Sequence, residues 1–180
     1  MKRTYQENKS LYESIMMDVA RIVKRHLNED SYDSWKSGTK ISASQFSKKV
    51  DTMISKNHDI GLLVVGSTPE KVKKLISSEH KFLIMDGANL DVNDFVIPVV
   101  SGSMSYEVKL NSLFNKYDGI IVRDIDRVDN KMKNMLMSII DGKIQDKKVD
   151  LFVIGTVDDE DSLDHISRPF IRRFDIFNII

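Results

Sequence analysis

The sequence predicts a three-layer α/β domain, in which helices cover both faces of a parallel sheet, preceded by a helical N-terminal arm. Short apolar runs recur along the chain, and each breaks into charged residues or glycine, as buried parallel strands do at the edge of a site. Segments with apolar residues at helical spacing lie between these runs, so strand and helix alternate. Strands are expected at residues 60–65, 82–85, 119–123, 151–155 and 176–180.

Composition excludes several classes of function. Lys and Arg number 27 and Asp and Glu also number 27, so no net charge favours a nucleic acid or an anionic membrane as a partner. The chain has no cysteine, which excludes disulfides, iron–sulfur clusters and thiol catalysis. Its four histidines have no metal-ligand spacing, and no apolar run is long enough to span a membrane. We therefore expect a cytoplasmic protein with no metal site and no membrane partner.

Residues 1–58 are expected to form the helical arm and a linker. Ser10 and Glu13 form a capping box for an amphipathic helix over residues 10–28, with Leu11, Ile15 and Val19 on its apolar face. This helix should pack on the core or on a neighbour, and the alternative is a docking or membrane-surface helix. The sequence of this helix resembles the N-terminal segments of proteins from tailed phages of gut bacteria. Such an origin would place the protein in the bacterial host cytoplasm.

A second helix and the α/β core follow the linker at residues 30–39. Ser42 and Gln45 form another capping box, for a short helix whose apolar side contains Phe46, Val50, Met53 and Ile54. The core is expected to span residues 59–180. Its first strand leads into a helix at residues 69–78, and a right-handed crossover should connect it to the strand at 82–85.

The middle of the core is the least regular part. Residues 86–102 read as irregular, and Pro98 would confine any strand there to a sheet edge. Residues 103–117 read as a helix through Met104, Val108, Leu113 and Phe114. A further helix is expected at Asn130–Ile140, where Gly142 ends it.

Three motifs in the second half resemble the core of the AAA+ ATPases. They are G-I-I-V-R-D-I-D-R-V at residues 119–128, L-F-V-I-G-T-V-D at 151–158 and S-L-D-H-I-S-R-P-F-I-R-R-F-D at 162–175. In that family a Walker B strand ends in Asp-Glu, a sensor strand ends near a polar Asn, and a later arginine serves a neighbouring subunit. The resemblance covers residues 60–180 and implies a parallel sheet of the P-loop NTPase type.

The resemblance assigns the cofactor-binding role to the turn after the first strand, with candidates Gly66, Ser67, Thr68 and Lys71. The turn is one residue shorter than G-x-x-x-x-G-K, lacks the second glycine, and has Val72 where a magnesium-binding hydroxyl belongs. Glu70 would repel a phosphate. We therefore interpret the turn as a plain strand-to-helix connection, and ATP with Mg²⁺ remains the alternative.

Catalytic candidates implied by the resemblance are Asp124, Asp126 and Asp158. In one alignment Arg123 replaces the metal-side Asp, and in the other Ile125 occupies the catalytic position, so one acid is missing in either case. Asp158 stands where the sensor Asn is expected. Asp124, Asp126 and Asp129 cluster near the strand end, which we interpret as a solvated acidic loop, and a metal site is the alternative.

Arg172 and Arg173 match the arginine segment and are the remaining catalytic candidates. A guanidinium suits phosphate recognition across an interface. The alternative is that these arginines fix their loop to the acids at residues 158–161. In the family a helical lid follows this segment and closes over the base, and we expect this domain to lack it.

The leading functional hypothesis is a degenerate, lidless AAA+-like subunit or adaptor, which binds protein partners and hydrolyses no ATP by itself. Its partners would be AAA+ subunits or copies of itself, and no cofactor is expected. One alternative is a nucleotide-binding ATPase with divergent Walker motifs that uses ATP and Mg²⁺. Another is a phage accessory or structural protein.

Overall fold

The computed structural model describes residues 38–55, 60–100 and 106–180. The predicted helix at residues 10–28 and most of the predicted linker lie outside the described residues. Within the described ranges, no helix combines the length and apolar character that crossing a bilayer requires.

A six-stranded parallel sheet forms the centre of the fold. In chain order its strands are β1 (Thr39–Ile41), β2 (Gly61–Val65), β3 (Phe82–Asp86), β6 (Gly119–Arg123), β9 (Phe152–Val157) and β10 (Phe174–Ile179). Across the sheet the order is β1, β10, β2, β9, β6 and β3, and every pair is parallel. The predicted fold class, an α/β domain on a parallel sheet, is confirmed.

The central strands are apolar because both faces of the sheet are covered. Ile121 in β6 lies opposite Ile84 of β3 on one side and Ile154 of β9 on the other, and it is fully buried. Its side chain belongs to the core cluster on one face, whereas its neighbours Ile120 and Val122 belong to the cluster on the opposite face. Each central strand therefore contributes to two cores, which explains its continuous apolar sequence.

In the described part of the chain, five helices cover these two faces: α1 (Ala43–Ser55), α2 (Pro69–Leu75), α3 (Leu113–Lys116), α4 (Asn130–Ile140) and α5 (Arg168–Ile171). Apolar residues of α1 and α2 pack in one core cluster, and those of α3, α4 and α5 pack in the other. The connections that run toward β3 carry α1 and α2, and those that run back carry the other three. When all connections between parallel strands have the same handedness, those that run in opposite directions along the sheet must place their helices on opposite faces.

Residues 39–55 are part of this α/β unit, although they were predicted to belong to the arm and linker. β1, which was not predicted, pairs with β10 at the sheet edge. The capping box of α1 is confirmed, since the Ser42 amide donates to Gln45 Oε1 at 2.9 Å and the Gln45 amide donates to Ser42 Oγ at 3.3 Å. The predicted apolar side of α1 is buried through Phe46, Val50 and Met53.

Two small antiparallel hairpins lie outside the main sheet. One consists of β4 (Val96–Val100) and β5 (Tyr106–Leu110), and the other of β7 (Lys143–Ile144) and β8 (Lys147–Lys148). The predicted helix over residues 103–117 is therefore wrong, except for the single turn of α3. The physical reason is a period of two: Val108 and Leu110 pack on the core, whereas Glu107 and Lys109 between them are exposed.

Other predicted elements agree with the structure. The helix at Asn130–Ile140 is confirmed as α4, and Gly142 follows its end with a φ of +77°. The helix predicted at residues 69–78 ends earlier, at Leu75. Pro98 lies in β4 of a two-stranded sheet, so its confinement to an edge strand is confirmed.

Candidate functional site

The topology of the sheet locates the candidate site. The chain leaves β2 toward β3 in one direction, whereas it leaves the adjacent strand β9 toward β10 in the other. Open α/β sheets bind ligands in the crevice outside the carboxyl ends of two such strands. The segments that follow β2, β9 and the next strand β6 border this crevice, and they contain most of the site residues predicted from sequence.

The turn after β2 is a short connection held by its own hydrogen bonds. Gly66 has a φ of +72°, which glycine adopts without steric cost, and its amide donates to the Val157 carbonyl at 3.0 Å. The Thr68 hydroxyl accepts a hydrogen bond from the Lys71 amide at 3.4 Å and so caps α2. Ser67 lies between Gly66 and Thr68 in the turn, and the Lys71 side chain is exposed. A nucleotide role for these residues stays a prediction.

An ion pair between Glu70 and Arg123 crosses the crevice. The guanidinium of Arg123 at the end of β6 donates to the carboxylate of Glu70 in the first turn of α2. The pair therefore links the start of α2 to the end of β6, the second strand from β2 in the sheet. Both side chains remain about half exposed. This pairing was not predicted from the sequence, where the opposite charge of the two residues is the only signal that links them.

The acids after β6 have local structural roles. Asp124 adopts a left-handed conformation with φ +49°, and its carboxylate lies 3.6 Å from Arg127 Nη1. Asp126 is half-buried in the following 3₁₀ turn. Asp129 caps α4, since its carboxylate accepts a hydrogen bond from the Met132 amide at 2.7 Å. The structure thus brings Asp124 and Asp126 to the crevice, and their catalytic role stays a prediction.

Buried Ile125 lies between these two acids and belongs to the core. In the alignment that makes Asp124 the metal-side residue, the catalytic position would be occupied by this core side chain. That alignment therefore supplies no exposed second acid at the end of β6.

The end of β9 contributes further negative charge. Thr156 is buried and its hydroxyl donates to the Val122 carbonyl at 3.5 Å, which joins β9 to β6. Asp158 is exposed at the strand end. The Asp159 carboxylate accepts hydrogen bonds from the amide and the hydroxyl of Ser162, both at 2.9 Å, and these bonds lower its pKa. Across the described ranges, no three carboxylate or imidazole groups are arranged to hold a metal ion.

Arg173 lies at the amino ends of the strands, whereas the crevice lies at their carboxyl ends. Its Nε donates to Asp141 Oδ1 at 3.0 Å, its Nη2 donates to Asp141 Oδ2 at 2.9 Å, and its Nη1 donates to the Pro169 carbonyl at 2.8 Å. Its carbonyl accepts a hydrogen bond from Gly61, the first residue of β2. Arg173 is thus bound to Asp141 at the end of α4 and not to the acids at residues 158–161. Arg172 beside it is half-buried.

Comparison with known proteins gives structural likeness without sequence likeness. The sequence matches no protein-family model and no curated protein. Similar solved structures include NtrX from Brucella abortus at 12% identity, a putative ATPase from Cytophaga hutchinsonii at 14% and a RuvB mutant from Thermotoga maritima at 14%. Their TM-scores are 0.48, 0.46 and 0.47.

These likenesses cover 99%, 93% and 78% of this chain, in the same order. The chain spans about half the length of the three structures, at 45%, 55% and 46%. Such values do not transfer an activity to this chain. What its crevice can do follows from its own residues.

The charges around the crevice disfavour a nucleoside triphosphate. Among the described cations that border it, Arg123 is paired with Glu70, Arg127 lies 3.6 Å from the Asp124 carboxylate, and Lys71 has no ion-pair partner. Asp158 begins a run of acids that continues through residue 161. Phosphate groups here would meet one uncompensated positive charge and several negative ones, so the electrostatic balance is unfavourable for an anion.

Proposed function

We propose that this chain is an AAA+-like domain that hydrolyses no ATP by itself and acts as a cytoplasmic subunit or adaptor that binds protein partners. The ion pair between Glu70 and Arg123 is the observation that carries this proposal. It occupies the crevice with two protein charges that neutralise each other.

The positive and the negative charge of this pair stand in exchanged positions compared with those that ATP hydrolysis needs. In the family that the sequence resembles, the helix after the first strand supplies a lysine to the phosphates, and the Walker B strand supplies a carboxylate to the magnesium shell. Here the helix supplies Glu70 and the strand supplies Arg123. An arginine has no lone pair for a metal, and a carboxylate repels phosphate oxygens. Both changes oppose the same bound state.

Catalysis of phosphoryl transfer depends on positioning and on charge neutralisation more than on covalent chemistry. In this chain Thr68 uses its hydroxyl to cap α2, and Ile125 is buried beside Asp124. At the two consecutive positions that align with the acids of the family, a magnesium ion would find one carboxylate, that of Asp124, beside either Arg123 or Ile125. We therefore expect weak or no nucleotide binding and no turnover.

The test measures ATP binding and hydrolysis by the purified full chain with Mg²⁺. We expect phosphate release at the rate of the buffer control, and calorimetry should detect no saturable binding at millimolar ATP. Lys71→Ala is the matched control, because it removes the one uncompensated cation without touching the ion pair. Magnesium-dependent turnover that Lys71→Ala abolishes would overturn the proposal in favour of an ATPase with divergent motifs.

The adaptor role has a separate test. If this chain serves a neighbouring ATPase, adding it to an AAA+ enzyme with which it forms a complex should change that enzyme's turnover. Arg172→Ala should diminish the change while the complex persists, because a guanidinium that reaches a neighbour's nucleotide acts on chemistry and not only on assembly. A complex whose turnover is the same with and without the chain would contradict this part of the proposal.

A further inference from the structure

The hairpin of β4 and β5 presents an unusual surface outside the main sheet. On its outer face Ile97 and Val99 are 47% and 39% exposed, and they are two of the three large apolar side chains described as exposed. Glu107 and Lys109 lie opposite them on β5 and are also exposed. The inner face packs on the core through Val96, Val108 and Leu110. The hairpin is therefore anchored on one side and open on the other.

The register of the hairpin shows which backbone groups point outward. The Asn111 amide donates to the Phe95 carbonyl at 2.8 Å, so this pair is hydrogen-bonded. Hydrogen-bonded and non-hydrogen-bonded pairs alternate along an antiparallel ladder. Ile97 with Lys109 and Val99 with Glu107 are then hydrogen-bonded pairs. The backbone groups of residues 106, 108 and 110 consequently point to the outer edge of β5.

The two edges of the hairpin differ in their capacity to pair with another strand. On β4 the corresponding outward position is Pro98, which has no amide hydrogen and so interrupts that edge. β5 contains no proline, and within the described part of the chain it pairs with β4 alone. An unpaired edge with a full set of donors and acceptors is a template for strand addition.

The sequence of β5 is complementary to itself. When two copies pair antiparallel about a two-fold axis through Val108, Glu107 of each copy lies opposite Lys109 of the other. The outward groups of Val108 make the central hydrogen-bonded pair, so the two Glu107–Lys109 pairs occupy non-hydrogen-bonded positions. Side chains are closest at those positions, and opposite charges there attract. In the described structure, neither Glu107 nor Lys109 has an ion-pair partner within its own chain.

We propose that β5 is a homodimerisation edge, along which a second copy of this chain adds its own β5 in antiparallel register to give a four-stranded sheet. Charge complementarity selects the second copy as the occupant. The same two-fold arrangement joins the exposed outer faces around Ile97 and Val99 into one surface. This association needs no nucleotide and is independent of the proposed function.

The experiment measures the dimerisation constant of the full chain by sedimentation equilibrium at low ionic strength. We expect a reversible dimer. Lys109→Glu places Glu opposite Glu at both pairs, and Glu107→Lys places Lys opposite Lys, so each variant alone should dimerise about tenfold or more weakly. Lys147→Glu, on the other hairpin, makes the same charge change at an exposed strand lysine and should have no effect.

Mixing the two variants provides the decisive result. Lys109→Glu paired with Glu107→Lys restores opposite charges at both pairs, so an equimolar mixture should form a heterodimer about as strong as the wild-type dimer. The double variant that exchanges the two charges should again form a homodimer. A wild-type chain that is monomeric at all concentrations, a dimer insensitive to Lys109→Glu, or a mixture that stays monomeric would each overturn the proposal.

Discussion

Arg173 provides the sharpest test of whether the arginine segment is structural. Its guanidinium donates to both carboxylate oxygens of Asp141 and to the Pro169 carbonyl. Hydrogen bonds to charged groups contribute about 1.5–3 kcal/mol when they are buried. Here the side chains of Arg173 and Asp141 are 25% and 42% exposed, so solvent screening reduces the contribution. We expect a coupling free energy of about 1–2 kcal/mol between the two residues.

A double-mutant cycle measures this coupling. The free energy of unfolding is obtained by urea denaturation for wild type, Arg173→Ala, Asp141→Ala and the double variant. Arg173→Ala should cost about 2–3 kcal/mol, because it also removes the packed stem of the side chain. Arg173→Lys should recover less than half of this loss, since an ammonium cannot reproduce the fork. Arg127→Ala is the control: its contact with Asp124 is long at 3.6 Å and its own side chain is 62% exposed, so its loss should cost less than about 0.5 kcal/mol.

Two results would refute this reasoning. The first is a coupling free energy near zero, which would mean that the contact with Asp141 contributes nothing in solution. The second is an Arg173→Ala variant that unfolds at the wild-type urea concentration but loses the effect of this chain on a partner ATPase. That outcome would return Arg173 to the role of a residue that acts on a neighbouring subunit.

Three other expected outcomes concern the core and the acid range. Ile121→Asp should abolish cooperative unfolding, whereas Ile121→Val should cost about 1 kcal/mol. Gly155→Ala should cost about 1–3 kcal/mol in urea unfolding, because the added Cβ would lie 2.6 Å from Ile125 Cδ1; wild-type stability would contradict the packing. Since Ser162 lowers the pKa of Asp159, this carboxylate stabilises the fold above its unfolded pKa and ceases to do so as pH falls through the folded value. In Ser162→Ala the free energy of unfolding should therefore decrease less as the pH is lowered from about 6 to about 3. The same decrease as in wild type would count against this prediction.

The central strands were predictable because burial on both faces leaves a continuous apolar run. A buried strand is the structure that suits the apolar runs at residues 120–122 and at the start of β9. Local composition was therefore sufficient to predict both strands. The hairpin was not recognised because its apolar residues are few and fit two periods. The spacing is compatible with a helix for Val108, Leu113 and Phe114. Only the pairing of this segment with the strand that contains Pro98 shows that it is a β-strand. Pairing across a loop is not visible in local spacing.

The candidate site was predictable in place but not in its contacts. Parallel strands deliver their carboxyl ends to one edge, so the segments that follow β2, β6 and β9 had to meet there. The partners of Arg123 and Arg173 were a different matter. Glu70 and Asp141 are distant in sequence from these arginines, and each acid has many equivalent alternatives along the chain. Only the three-dimensional arrangement selects one of them.

The position of β10 between β1 and β2 has a consequence for synthesis of the chain. The ribosome produces β1 before every other strand described here, yet its partner in the sheet is the last strand to be produced. Until residues 174–179 emerge, β1 has no strand to pair with, and one side of β2 is an open edge. From the emergence of β2 until the emergence of residues 174–179, the nascent chain therefore carries two unpaired β edges. Chaperones that shield such edges would act on this protein before its last strand closes the sheet.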